Sequence, residues 1–180
     1  KCQGYSHIKS DLECQDSTLV KKTEKYAIAV VADGHGSASY FRSSRGSLFA
    51  TEAAITAIEE LLETILSDKS NMDDFCASID KHLIQLERSV IARWHERVED
   101  DYSKNPFLDS EILKVDEKHK EKYLKGERIE AAYGSTLIAV ACTDAFWFGI
   151  HIGDGKCITC DYRGNFAEPI PWDEKCFLNV

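Results

Sequence analysis

Three aspartates stand where the chain changes direction: Asp16, Asp33 and Asp154. Asp33 has the clearest setting, because it closes the apolar run Tyr26-Ala27-Ile28-Ala29-Val30-Val31-Ala32 and opens Asp33-Gly34-His35-Gly36. A carboxylate, backbone carbonyls and an imidazole converge there, and the two glycines permit positive φ and close approach of a ligand to the backbone. Carboxylates delivered to strand ends from separate parts of a sheet are how a rigid scaffold gathers hard ligands. Oxygen ligation suits Mg²⁺ or Mn²⁺ far better than zinc, and phosphoryl chemistry is what such ions most often serve. Asp-Gly also begins ordinary β-turns, so the four residues alone leave turn and site equally open. Asp154, between Gly153 and Gly155, likewise reads as a turn residue when taken alone.

The elements that must position these groups follow from periodicity. Tyr26 to Ala32, an unbroken apolar run, is expected to form a strand buried on both faces. Cys2 to His7 and Asp16 to Val20 suggest a first hairpin, and Lys21 to Lys25 a charged turn. From Ser37, a good N-cap, apolar residues recur at helical spacing: Phe41, Leu48, Ile55, Ile58, Leu62 and Ile65. A second helix is expected from Asn71, with Asp73 and Asp74 near its positive end and Phe75, Ile79, Leu83, Leu86, Val90 and Trp94 on its core face. The two should lie as an antiparallel pair over one sheet face. The charged stretch Asp109 to Lys125 is either a solvated helix or a mobile excursion. Beyond it, Gly134 to Cys142 and Phe146 to Ile152 read as a strand pair around Thr143-Asp144-Ala145, Gly153-Asp154-Gly155 reverses the chain into Lys156 to Cys160, and Tyr162 to Asn165 turns it again. Strands, then helices, then a strand meander indicate an α+β domain with antiparallel sheets.

At 180 residues and 43% apolar content the chain has one domain's length and enough material for a sizeable core. A formal charge of −9 without any basic block argues against a nucleic-acid partner. No signal peptide and no bilayer-length apolar run is present, so no membrane partner is expected. Seven scattered cysteines suit free thiols in a reducing, cytoplasmic compartment. Cys157 and Cys160 match C-x-x-C, but on a strand residues three apart point to opposite faces, which disfavours a shared zinc. His7, His82, His95, His119 and His151 read as surface or strand residues, and Trp94, Trp147 and Phe146 as core. Arg42 and Arg45 read as solvent-facing helix arginines.

The segment Gly4 to Ser17 ending in Gln15-Asp16-Ser17, the turn Val31-Ala32-Asp33-Gly34-His35-Gly36, Tyr133-Gly134-Ser135-Thr136-Leu137 and Ile152-Gly153-Asp154-Gly155 resemble, in order and separation, the metal-dependent protein phosphatases, the type 2C serine/threonine phosphatases. The resemblance covers most of the chain. It implies an antiparallel β-sandwich flanked by helix pairs, in α-β-β-α layers, and a site for two or more Mg²⁺ or Mn²⁺ ions at one edge. It also implies hydrolysis of phosphoserine and phosphothreonine on a phosphorylated protein substrate by a metal-activated water. By that resemblance Asp33 bridges two metals, the Gly34 carbonyl binds one, Asp16 holds metal-bound water, His35 is the general acid, and Asp154 matches a third-metal position. Gln15 stands where the family usually has Glu, and Asp11 falls near its phosphate-binding arginine, for which Lys9 or His7 are weaker substitutes. Nothing after Asp173 supplies the family's later aspartates, and both ends, Lys1 and Phe177-Leu178-Asn179-Val180, look cut. Residues 1–180 are thus expected to be a single phosphatase-like domain, incomplete at its C-terminus and lacking part of the metal site. The alternative is a pseudophosphatase that keeps the fold as a binding or regulatory module.

Overall fold

The computed structural model describes residues 8–9 and 13–170. Cys2, Gly4, His7, Asp11, Asp173, Cys176 and Phe177 to Val180 lie outside these described residues, so the proposed strand Cys2 to His7 and the phosphate-arginine position are not addressed by it. Strands β1 (Ser17–Lys22) and β2 (Tyr26–Ala32) precede helices α1 (Ser43–Ile65), α2 (Lys69–Ala77) and α3 (Ile79–Lys104). The short helices α4 (Asp109–Ile112), α5 (Glu117–Leu124) and α6 (Ile129–Ala132) follow, then strands β3 (Leu137–Thr143), β4 (Trp147–Ile152), β5 (Thr159–Cys160) and β6 (Phe166–Ala167). β1 to β4 form one antiparallel sheet in the order β1-β2-β3-β4, while β5 and β6 pair separately. The first hairpin within the described residues is β1–β2, closed where Thr23 accepts hydrogen bonds from the Lys25 and Tyr26 amides.

Along β2 burial alternates: Tyr26, Ile28, Val30 and Ala32 are buried, whereas Ala29 and Val31 are exposed. The reading of this strand as buried on both faces is therefore corrected among the described residues. An unbroken apolar run reports β preference, and only the layers packed on it decide how many faces are dry. The inward residues join Leu137, Ala139, Ala141, Phe148 and Ile150 in a core covered by α1. On the opposite face Val20 is 75% and Val31 47% exposed.

α1 begins at Ser43, later than an N-cap at Ser37 would place it, after a turn in which Tyr40 donates to the Ser37 carbonyl. Its buried side is mostly small, with Gly46, Ser47, Ala50, Ala53, Ala54 and Ala57, which lets the helix axis approach the sheet closely. The predicted second helix is broken at Ser78 into α2, capped by Asp68 rather than Asn71, and α3. α1 and α3 run antiparallel, as Arg93–Glu60, Arg97–Glu52 and Arg45–Asp101 show by their opposing numbering, and the Trp94 indole also donates to the Gly46 carbonyl at 3.0 Å. The charged stretch after Asp109 is neither alternative in pure form. It is two short helices pinned by buried Ile112, Val115 and Tyr123 in a second core with Val98 and Tyr133, and the Tyr123 hydroxyl donates to the Ser39 carbonyl at 2.8 Å. No described helix is long and apolar enough to cross a membrane.

Candidate metal centre

The backbone around Asp33 is fixed from both sides. Past the end of β2, the Asp33 amide donates to Thr136 Oγ1 (3.2 Å), while its carbonyl accepts from the Thr136 amide (2.8 Å) and Ser135 Oγ (3.1 Å). The His35 amide donates to the Gly134 carbonyl at 3.1 Å, and Gly34 bridges to Ser135. On the other side the Gly34 amide donates to the Gln15 carbonyl at 3.2 Å, and that same carbonyl accepts from Ser47 Oγ. Asp16 leaves this junction directly into β1.

Glycine at 34 serves proximity and not a left-handed backbone. A Cβ there would stand 2.7 Å from both the Gln15 and Ser43 carbonyl oxygens. Positive φ occurs instead at Gly126, Gly153 and Gly164, so the expectation of positive φ at Gly34 and Gly36 is corrected. Gly153, at φ 101°, makes the reversal that carries Asp154 to the same end of the sheet.

Asp16, Asp33 and Asp154 line one open cleft of about 260 Å³, walled by Thr18, Thr136 and Ile138. Partial burial and then a hydrogen bond and like charge from Asp16 push the Asp33 carboxyl above its ordinary pKa. Asp154 adds to the rise and His35 opposes it. Like charge gathered around Asp33 is the electrostatic setting that a bound cation relieves. The Cys14 thiol lies 3.7 Å from Asp16 Oδ2 and donates toward it.

His35 sits beside Asp33 but turns away from the cleft lining. Its ring meets Tyr40 edge-on at 4.6 Å between centroids and rests against Gly134, where a Cβ would come within 2.6 Å of His35 Cδ2. Nε2 is buried with no hydrogen-bond partner. Burial lowers the His35 pKa, against the pull of Asp33 and Asp154.

Arg42 overturns its reading as a solvent-facing residue: it is 5% exposed. Its Nε and one terminal nitrogen grip the Glu111 carboxylate, both at 2.9 Å, and its remaining N–H groups reach the carbonyls of Asn105 (2.6 Å) and Pro106 (3.1 Å) and the Tyr133 hydroxyl (2.8 Å). These partners lie 63 to 91 residues away along the chain, so no short motif announces them. Arg45 does face solvent, bridging to Asp101. Ser135 and Thr136, quoted in the sequence motif without a role, prove to be the residues that hold the Asp33 backbone.

Among the described residues no three His, Cys, Asp or Glu side chains are grouped closely enough to hold an ion by themselves. Carboxylates sharing one open cleft nevertheless fit a hard cation of the Mg²⁺ type, which takes one or two carboxylates and keeps several waters. Cys157 precedes β5 and Cys160 lies in it, and they form no such group either. In comparisons with known proteins, no curated protein and no solved structure matches this chain. The family model for protein phosphatase 2C, by contrast, matches residues 3–180, and the chain belongs to that family.

Proposed function

We propose that this phosphatase-family chain hydrolyses phosphoserine and phosphothreonine on protein substrates with Mg²⁺ or Mn²⁺ held at the Asp16–Asp33 cleft. The observation that carries the reading is the convergence of Asp16, Asp33 and Asp154 on one open cleft. Asp33 and Asp16, the Gly34 carbonyl and, for a further ion, Asp154 would be the holding groups. Bound divalent ions supply a lowered pKa for water and neutralise charge on the phosphoryl oxygens.

The chain's own part is positional and electrostatic. Ser135 and Thr136 fix the Asp33 backbone, so its carboxylate meets an ion in one geometry, which is what preorganisation requires. His35 is assigned proton delivery to the departing serine or threonine oxygen, for which its ring must swing from Tyr40 toward the cleft. The form that can deliver a proton is the imidazolium, and burial, by lowering the pKa, makes that form the stronger acid. The exposed face carrying Val20 and Val31 is where the second sheet of a β-sandwich would pack. The free thiols Cys76, Cys142, Cys157 and Cys160 accord with a cytoplasmic setting.

The test is hydrolysis of a phosphothreonine peptide and of a small aryl phosphate, with and without Mn²⁺, for the wild type and Asp33→Asn. Mn²⁺-dependent turnover that vanishes in the variant supports the reading, and turnover indifferent to Mn²⁺ or to Asp33 refutes it. A second reading, a pseudophosphatase, is favoured by the absence of a three-residue ligand group among the described residues and by Gln15 before Asp16. Calorimetric titration with Mn²⁺ separates the two, since a pure scaffold gives no Asp33-dependent heat.

A further inference from the structure

We infer that Arg42 and Tyr133 are positioning residues for the cleft, transmitting the order of a buried charge cluster to the backbone that holds Asp33; the catalytic consequence rests on the phosphatase reading above. Tyr133 is fully buried and works in two directions. Its hydroxyl accepts from Arg42 (2.8 Å) and donates to Asp101 Oδ2 (2.6 Å), so the side chain is held by two groups of opposite charge. Its backbone runs straight into Gly134-Ser135-Thr136, the three residues that hydrogen-bond Asp33 and His35.

Arg42 fixes the same segment a second way, because its amide donates to the Ala132 carbonyl at 2.8 Å while its own carbonyl accepts from Arg45 and Gly46 at the start of α1. Gly46 in turn has no side chain because the Tyr133 carbonyl occupies that space. One residue therefore ties together the N-terminus of α1, the end of α3 through Asn105, α4 through Glu111, and the segment beneath the cleft. All five guanidinium N–H donors are matched, and the group lies 4.8 Å from the centre of the Phe107 ring. Such a fully satisfied buried network specifies one arrangement, and its loss on one side frees what hangs on it.

The experiment compares wild type, Tyr133→Phe, which removes a single hydroxyl and keeps the ring, and Arg42→Lys, which keeps the charge and loses the fork. Amide hydrogen exchange is read at His35 and Thr136, whose N–H groups make the cleft bonds, and at Ile28 and Val30 in the middle of β2. Mn²⁺ affinity is measured separately by titration with the metal alone. The expected result for Tyr133→Phe is exchange about tenfold faster at His35 and Thr136 with Ile28 and Val30 unchanged, and Mn²⁺ affinity reduced by a similar factor. Arg42→Lys should show the same pattern, enlarged. Unchanged exchange at His35 and Thr136, or equal acceleration at all four amides, overturns the inference. Selective loosening in a protein whose wild type shows no Asp33-dependent Mn²⁺ binding supports the positioning link and defeats the phosphatase reading instead.

Discussion

Two groups of ionisable side chains lie on opposite sides of the segment Tyr133 to Thr136, and they are built on contrary principles. Around Arg42, a buried cation meets Glu111, with Asp101 close by, in nearly dry surroundings, and each donor has an acceptor. Around Asp33, three carboxyls share an open cleft, without an Arg or Lys among the lining residues. In the first cluster burial by itself would raise Glu111 and Asp101, but hydrogen bonds from Arg42, and from Tyr133, Arg45 and Asn105, outweigh it and hold both below their ordinary values. In the second, burial and like charge act in the same direction and Asp33 rises. A cluster whose charges are all matched serves the fold, and one left unmatched at an open cleft is the candidate for a functional site.

The sharpest way to break this contrast is to neutralise the open cluster. Asp33→Asn removes like-charge repulsion while deleting a cation ligand. Mn²⁺-dependent phosphatase activity should fall by at least about a hundredfold, while the urea midpoint stays at or above that of wild type. A variant that lost both activity and stability would place Asp33 with the structural cluster. The mirror experiment is Arg42→Met, which leaves the Glu111 carboxylate with only the Leu108 amide and the Asn105 and Pro106 carbonyls without their guanidinium donor. Breaking a buried pair from one side costs roughly 3–5 kcal/mol, measurable by urea unfolding. A loss under about 1 kcal/mol, the range of exposed pairs, would show that the cluster is not desolvated as its burial implies.

How much of this could be read from the sequence divides along the same line. The cleft was legible because its residues occur in short local motifs, Asp33-Gly34-His35-Gly36 and Gly153-Asp154-Gly155, at ends of strands that apolar runs and β-branching make plain. The order of strands and the antiparallel pair of long helices followed from periodicity. The Arg42 cluster was not legible, since Asp101, Glu111 and Tyr133 come from three separate segments and no local pattern links any of them to Arg42. The one-sided burial of β2 was also hidden, because composition sets how apolar a strand is and only tertiary packing sets which of its faces is covered. The small-residue face of α1 misled in the same way: Leu48 fits the apolar period yet is 42% exposed, because the sheet-facing positions need alanine and glycine to let the helix come close.

Acid titration sharpens the contrast next. Glu111 and Asp101 have folded pKa values below the ordinary 4.5 and 3.8. A depressed carboxylate contributes stability that is complete above its unfolded pKa and is lost as pH falls through the folded one. Unfolding free energy should therefore decline on acidification from about pH 5 downward, and Arg42→Met should flatten that decline. Equal slopes in the two proteins would mean that Arg42 does not set the Glu111 pKa.

The smallest effect comes from a third charged pair, Arg97 with Glu52, on the same α1–α3 seam as Arg42 but with its side chains 40% and 37% exposed. The contact is short, 2.6 Å, so geometry alone would rank it with the buried cluster. Water at the seam's edge screens both ions and already solvates each of them when apart, which leaves little to gain from the pairing. Glu52→Gln should cost about 0.5 kcal/mol at low salt and less at high salt, by urea unfolding in both conditions. A cost comparable to Arg42→Met, and insensitive to salt, would mean that the helix seam and not desolvation gives a charge pair its value in this fold, and the distinction between the two clusters would have to be redrawn on those terms.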